Sequence, residues 1–207
     1  MILTLKNLPL NKQHTLMVIS IFLLAILAWL FNETVSERLV YQRQLINQGE
    51  LWRLFTGHFL HTNLNHLLLN LTALVLLWLL HGHFYSVKNY SLLFITSALI
   101  CSVGLFYGAP DVQQYVGLSG VLHGIFMFGA IMDIRHQDKT GYLLLTGVWL
   151  KIAYEQLYGA SEQISSLINA TVAIDAHLWG AVGGLLFSCG YLVVNKKARY
   201  NEKRSKA

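Results

Sequence analysis

The sequence predicts an all-α membrane protein with several spans. Of its 207 residues 55% are hydrophobic and only 12% charged, mean hydropathy is +0.48, and apolar runs of helical length recur from one end to the other. An average soluble domain carries about 25% charged residues, so this composition fits lipid as the solvent. A bilayer-spanning helix needs about 20 mostly apolar residues. A chain of this length then holds about six spans, and residues 1–207 are expected to form a single membrane domain with no soluble appendage.

The first run, 16–31, follows Lys6 and Lys12, and Phe31-Asn32-Glu33 offers no small-residue cleavage site, so it is read as a retained first helix. The stretch 32–57 carries Glu33, Glu37, Arg38, Arg43, Glu50 and Arg53 among Leu, Val, Tyr and Trp. It is too long and amphipathic for a turn and is expected to be a structured loop at the interface. Further spans are expected at 64–80, 91–107, about 118–134, 142–158 and about 172–194. Lys6 and Lys12, Lys88, Arg135 and Lys139, and the basic end with Lys196, Lys197, Arg199, Lys203, Arg204 and Lys206 occupy alternate connections. That side, with both termini, is expected to be cytoplasmic. The opposite side takes the first loop, 108–116 with Asp111, and the segment around Glu162 and Asp175; the arginines of the first loop are the one blemish in the charge pattern. The net charge of +5 thus reads as an anchor against anionic lipid and not as a nucleic-acid surface. Cys101 and Cys189 lie in apolar runs without CxxC spacing and read as small lipid-embedded or core residues.

Polar groups inside a span are costly and are functional suspects. Three such groups open the second, fourth and sixth spans: His66 and Asn70; Gly117, Ser119, Gly120, His123 and Gly124; and His177, Gly180 and Gly184. In the alternating topology these three helices start from one side, so their polar groups share a depth and can form one site. Ser119 at a helix start has free N–H groups and the positive end of the dipole beside it. Gly180 and Gly184 share a helical face with His177, and Gly120 and Gly124 give the fourth span a similarly low profile, so the two helices can approach until His177 serves Ser119 as base. His66 and Asn70, four apart, offer side-chain donors where an acyl intermediate develops negative charge, and with the Ser119 N–H they make an oxyanion hole. Glycines alone would be ordinary packing, and a lone intramembrane His is often structural; three polar elements at one depth point to acyl transfer.

Other chemistries find no support. There is no H-E-x-x-H, and no two aspartates lie within spans. His81 and His83 are expected at the cytoplasmic end of the second span, solvated at the interface. No metal or cofactor is implied.

From about Glu50 to the last span the chain resembles the rhomboid family. Trp52-Arg53 resembles its W-R motif, His66 to Asn70 its H-x-x-x-N, Gly117 to Gly120 its G-x-S-G, and His177 to Gly184 its H-x-x-G-x-x-x-G. The resemblance implies the six-helix rhomboid fold and an intramembrane serine endopeptidase. It assigns Ser119 as nucleophile, His177 as base, His66 and Asn70 to the oxyanion hole, and Trp52 and Arg53 to support of the first loop. Where many bacterial members carry an aromatic four residues after the serine, this chain has His123 followed by Gly124. The G-L-S-G-x-L-H-G form is similar to the rhombosortase branch, which is linked to exported proteins with a C-terminal GlyGly-CTERM tail. The implied partners are therefore tail-anchored or transmembrane protein substrates. The implied location is the bacterial inner membrane, with the site facing the periplasmic or extracellular side. His123 could stack on His177, bond to it or tune it. No acidic partner for His177 is evident, so a Ser-His dyad is expected.

Two rivals remain. A catalytically inactive rhomboid-like protein that binds transmembrane helices would need neither Ser119 nor His177, nor His66 and Asn70. A small transporter or channel would need polar groups through the full depth of the membrane, whereas the cytoplasmic halves of the second, fourth and sixth spans are nearly all apolar or Gly.

Overall fold

Among the described residues ten α-helices, most of them placed where the apolar runs fall, build the fold. The structure, a computed structural model, describes residues 8–205, with side chains to residue 196; Lys6 and Lys206, used above to orient the chain, lie outside the described residues. The elements in order are α1 (Lys12–Leu30), α2 (Asn32–Leu39), β1 (Tyr41–Gln42), α3 (Arg43–Asn47), α4 (Arg53–Thr56), α5 (Leu64–His81), α6 (Val87–Gly108), β2 (Gln114–Tyr115), α7 (Ser119–Arg135), α8 (Thr140–Tyr158), α9 (Glu162–Ile168) and α10 (Ile174–Ser205). Four segments are long and apolar enough to cross a membrane: Lys12–Leu30, Leu64–Phe84, Val87–Gly108 and Ile174–Lys196. Two of the six expected spans fall outside that set. α7 has only 17 residues, and α8 carries Lys151 and Glu155 in its C-terminal half.

Large apolar side chains point outward as well as inward. Leu23, Leu24 and Leu27 of α1 and Leu68, Leu69 and Leu76 of α5 are exposed, while Leu71, Leu74, Leu93, Leu122, Ile125 and Phe128 are buried in one cluster. Exposed leucine on this scale would be a liability in water and is the ordinary outer surface in lipid. The chain is an integral membrane protein.

The helix ends follow local chemistry. The Asn63 side chain accepts from the His66 N–H at 2.8 Å and starts α5, and Ser86 and Asn89 close a reciprocal capping box at the start of α6. α10 continues past 194 to Ser205, since the Lys- and Arg-rich end contains no Gly or Pro to stop it.

The first loop is structured, with one element the sequence reading lacked. β1 pairs antiparallel with β2, Tyr41 opposite Tyr115 and Gln42 opposite Gln114, so the chain is mostly rather than wholly helical. Arg43 explains why the loop holds. Its guanidinium donates to the carbonyls of Phe106 (2.5 Å), Leu105 (2.7 Å), Ala109 (2.6 Å) and Val112 (3.2 Å), at and just beyond the end of α6, where carbonyls lack intrahelical donors and the helix dipole is negative. Trp52 Nε1–H donates to the Arg38 carbonyl at 3.0 Å, and Arg53 bonds the carbonyls of Glu37 and Val40 and the Glu50 carboxylate.

α7 is gripped between α6 and α10 by close backbone approach. A Cβ at Gly180 would lie 1.8 Å from the Gly120 carbonyl oxygen, and one at Gly184 would lie 2.1 Å from that of Gly124. At Gly190, near the other end of α10, a Cβ would meet nothing within 4 Å. Gly180→Ala should therefore destabilise the protein by about 2–3 kcal/mol, whereas Gly190→Ala should leave it unchanged or slightly more stable. Thermal unfolding of the two variants in detergent checks this; an equal Tm for Gly180→Ala and wild type would refute the contact.

Candidate active site

Ser119 is the first residue of α7, so its backbone N–H has no acceptor within the helix. The turn before it is shaped by Gly117, whose φ of +122° suits glycine. That residue is held by its own N–H donating to the Gly57 carbonyl (3.2 Å) and by the Tyr115 hydroxyl donating to its carbonyl (2.5 Å). His177 sits one turn into α10, buried, with Nε2 3.0 Å from Ser119 Oγ. The glycine contact between α7 and α10 is what permits this distance.

His123, one turn after Ser119, stacks on His177 with ring centroids 4.2 Å apart and planes 20° from parallel. Its Nδ1–H donates to the Ser119 carbonyl at 2.7 Å. His123 thus both covers one face of the His177 ring and braces the first turn of α7.

The sequence shows no acidic partner for His177, and the structure places one beside it. Glu155 Oε2 of α8 lies 2.9 Å from His177 Nδ1, and Lys151 Nζ reaches Glu155 Oε2 (2.8 Å), His123 Nε2 (3.0 Å) and His177 Nδ1 (3.2 Å). An acidic neighbour of His177 was legible in principle: Lys151 and Glu155 are four apart in an otherwise apolar run, a pair that lipid would not tolerate without partners.

On the other side of Ser119, the turn at Gly117 faces His66. A Cβ on Gly117 would lie 2.8 Å from His66 Nε2 and 3.9 Å from Asn70 Nδ2. His66 Nδ1 is engaged by Thr62 Oγ1 at 3.1 Å, and Asn70 Nδ2 donates to the His66 carbonyl at 3.0 Å. A cavity of about 780 Å³ opens onto Ser119, lined among others by His61, Thr62, His66, Tyr115, Val116 and Ala173. α9 is tied over its edge by Thr62 and Asn63, which donate to the carbonyls of Ile168 (2.6 Å) and Leu167 (3.0 Å). Ser119, His177, His123, His66 and Asn70 are thus brought together, with Gly117, Gly120, Gly180 and Gly184 at the helix contacts that allow it. Trp52 and Arg53 lie in the first loop, where Arg53 bonds the carbonyls of Glu37 and Val40, two residues that line the cavity.

Among the described residues no group of three or more His, Cys, Asp or Glu could hold a metal. His81 is not solvated as expected: it is buried, with Nε2 3.1 Å from Asp133. Cys101 is buried and donates to the Ala176 carbonyl, while Cys189 is exposed.

Two loop histidines, His58 and His61, make stability depend on pH. Burial pushes His58 down to about 4, against the pull of the Ala98 carbonyl; burial, then the neighbouring His66, push His61 down to about 3. Both folded values lie below the ordinary value near 6.5, so as pH falls the unfolded chain binds protons first. Stability is full above about pH 6.5 and declines toward the folded values, by up to about 1.4 kcal/mol per pH unit for each group. Tm should fall between pH 7 and pH 5, and His61→Phe should flatten the slope; a slope unchanged in that variant would contradict the burial effect.

Known proteins resemble this chain over most of its length. The Rhomboid domain family matches residues 48–194. The chain is similar to the rhomboid-type protein YdcA of Bacillus subtilis (strain 168), 28% identical over 187 residues that cover 86% of this chain and 89% of that protein. It is also similar to the rhomboid protease GluP of the same organism, 25% identical over 78% of this chain but 30% of that protein. A third relative is rhomboid-like protease 5 of Toxoplasma gondii, 28% identical over 68% of this chain and 16% of that protein.

Proposed function

Because the chain belongs to the rhomboid family, we propose that it is an intramembrane serine endopeptidase with Ser119 as nucleophile and His177 as base. The observation that carries this reading is the 3.0 Å approach of Ser119 Oγ to His177 Nε2. A protein that merely held transmembrane helices would have no use for that hydrogen bond.

In the proposed reaction His177 Nε2 takes the Ser119 hydroxyl proton as Oγ attacks the scissile carbonyl carbon. The oxyanion forms beside the Ser119 N–H, with His66 Nε2 and Asn70 Nδ2 as side-chain donors; the His66 tautomer required carries its proton on Nε2, with Nδ1 accepting from the Thr62 backbone N–H at 3.5 Å. Collapse of the tetrahedral intermediate breaks the C–N bond, and the proton on His177 goes to the leaving amine. Water then attacks the acyl ester, His177 taking its proton and returning it to Ser119 Oγ, which frees a carboxylic acid.

In this reading α7 and α8 are the two remaining spans of a six-span bundle, both termini are cytoplasmic, and the membrane is a bacterial inner membrane with Ser119 toward its outer side. The substrates are exported proteins with a GlyGly-CTERM tail. The G-L-S-G-x-L-H-G form supports that choice, as does the physical demand that the scissile segment leave its helix, which glycine makes easier. The cavity at Ser119 has room for an unwound segment of that kind.

The test is cleavage of a membrane-reconstituted substrate carrying a Gly-Gly motif before an apolar helix and a basic end. Ser119→Ala and His177→Ala should each lower the rate by about 10³-fold or more with Tm near that of wild type. Unchanged turnover by Ser119→Ala would overturn the mechanism. Failure of the wild type on this substrate, with cleavage of another transmembrane segment, would overturn the tail assignment alone.

A further inference from the structure

The hydrogen bonds around His177 fix the protons of its neighbour His123, and the serine protease reading fixes its own. His123 Nδ1 faces the Ser119 carbonyl, which can only accept, so Nδ1 carries the proton and Nε2 is a bare acceptor. Lys151 Nζ, 3.0 Å away, supplies the donor that this nitrogen needs. Lys151 also donates to Glu155 Oε2 at 2.8 Å. For His177 to accept the Ser119 proton at Nε2 its own proton must sit on Nδ1, where Glu155 Oε2 at 2.9 Å accepts it; Lys151 Nζ, 3.2 Å from the same nitrogen, then gives its protons to Glu155 and His123.

From this we infer that Glu155 is a positioning residue that fixes the reactive tautomer and ring orientation of His177, and that Lys151 and His123 in turn fix Glu155. This rests on the serine protease reading above and adds to it a third member of the catalytic relay, supplied by α8.

The placement distinguishes this role from an ordinary i,i+4 ion pair. The Glu155 side chain is 12% exposed and that of Lys151 46%, so the acid faces inward onto His177 while the base lies nearer the surface. Buried alone in an apolar setting, a carboxylate would be expensive; here it receives hydrogen bonds from a cation and an imidazole. When His177 takes the serine proton, the imidazolium forms against an anion already in place, with no rearrangement of solvent. Lys151 offsets the charge of Glu155 in the resting state and, through His123, ties α8 to the first turn of α7. α8 is thereby joined to the reaction centre by side chains as well as by packing.

The experiment compares wild type with Glu155→Gln, Glu155→Asp and Ser119→Ala in proteoliposomes, measuring kcat and KM for the same Gly-Gly-tailed substrate, Tm, and the low-field proton resonance of ¹⁵N-labelled histidine. Glu155→Gln keeps the shape but can donate to Nδ1 and so favour the wrong tautomer. It should lower kcat by about 10²-fold with KM and Tm nearly unchanged, and remove the resonance. Glu155→Asp should recover part of kcat. Glu155→Gln with wild-type kcat, or with activity lost only in proportion to Tm, would overturn the proposal. If the resonance depends on Glu155 but Ser119→Ala cleaves as wild type does, the protease reading falls while the pairing of Glu155 with His177 stands.

Discussion

Everything at the site depends on how near two helices come. Gly180 rests against the Gly120 carbonyl and Gly184 against that of Gly124, at separations where even a methyl group would overlap backbone. Lipid supplies no hydrophobic drive to press one apolar helix against another, so the association relies on close packing, for which small residues are suited. The same approach sets Ser119 at the head of α7 beside His177 at the head of α10. The distance from Ser119 to His177 and the membrane packing are one property of this pair, and a substitution made for either will affect both.

Around that pair, polar groups that lipid would penalise are satisfied by one another. Lys151 and Glu155 sit on α8 with His123 and His177 as neighbours, and Arg43 spends its guanidinium on the carbonyls at the end of α6. The second arrangement anchors the first loop next to β2, and β2 leads through Gly117 into Ser119. The first loop and the turn that leads into Ser119 are therefore held by connected hydrogen bonds.

Much of this was legible in the sequence because hydrocarbon makes polar residues conspicuous. Ser119, His177, His66 and Asn70 stand out within apolar runs, and their glycine neighbours suggest which helices touch. Glu155 was overlooked for a physical reason: the sequence shows that it and Lys151 need polar partners in an apolar run, but only the rotation of α8 about its axis shows that the partner is His177. His81 was misjudged in the same way, since its burial depends on α7 bringing Asp133 to it. β1 and β2, two residues each, carry no periodicity, and their pairing joins segments distant in sequence. α7 and α8 fall outside the four long apolar helices because they are respectively shorter and more charged than a helix facing lipid on all sides would be.

The most direct measurement of an activated Ser119 needs no substrate. The detergent-solubilised protein is treated with a fluorophosphonate and the adduct is located by peptide mass spectrometry. The account predicts one adduct, on Ser119, which disappears in His177→Ala while that variant remains folded. A folded wild type that stays unmodified, or a Ser119 adduct that forms equally well without His177, would contradict it.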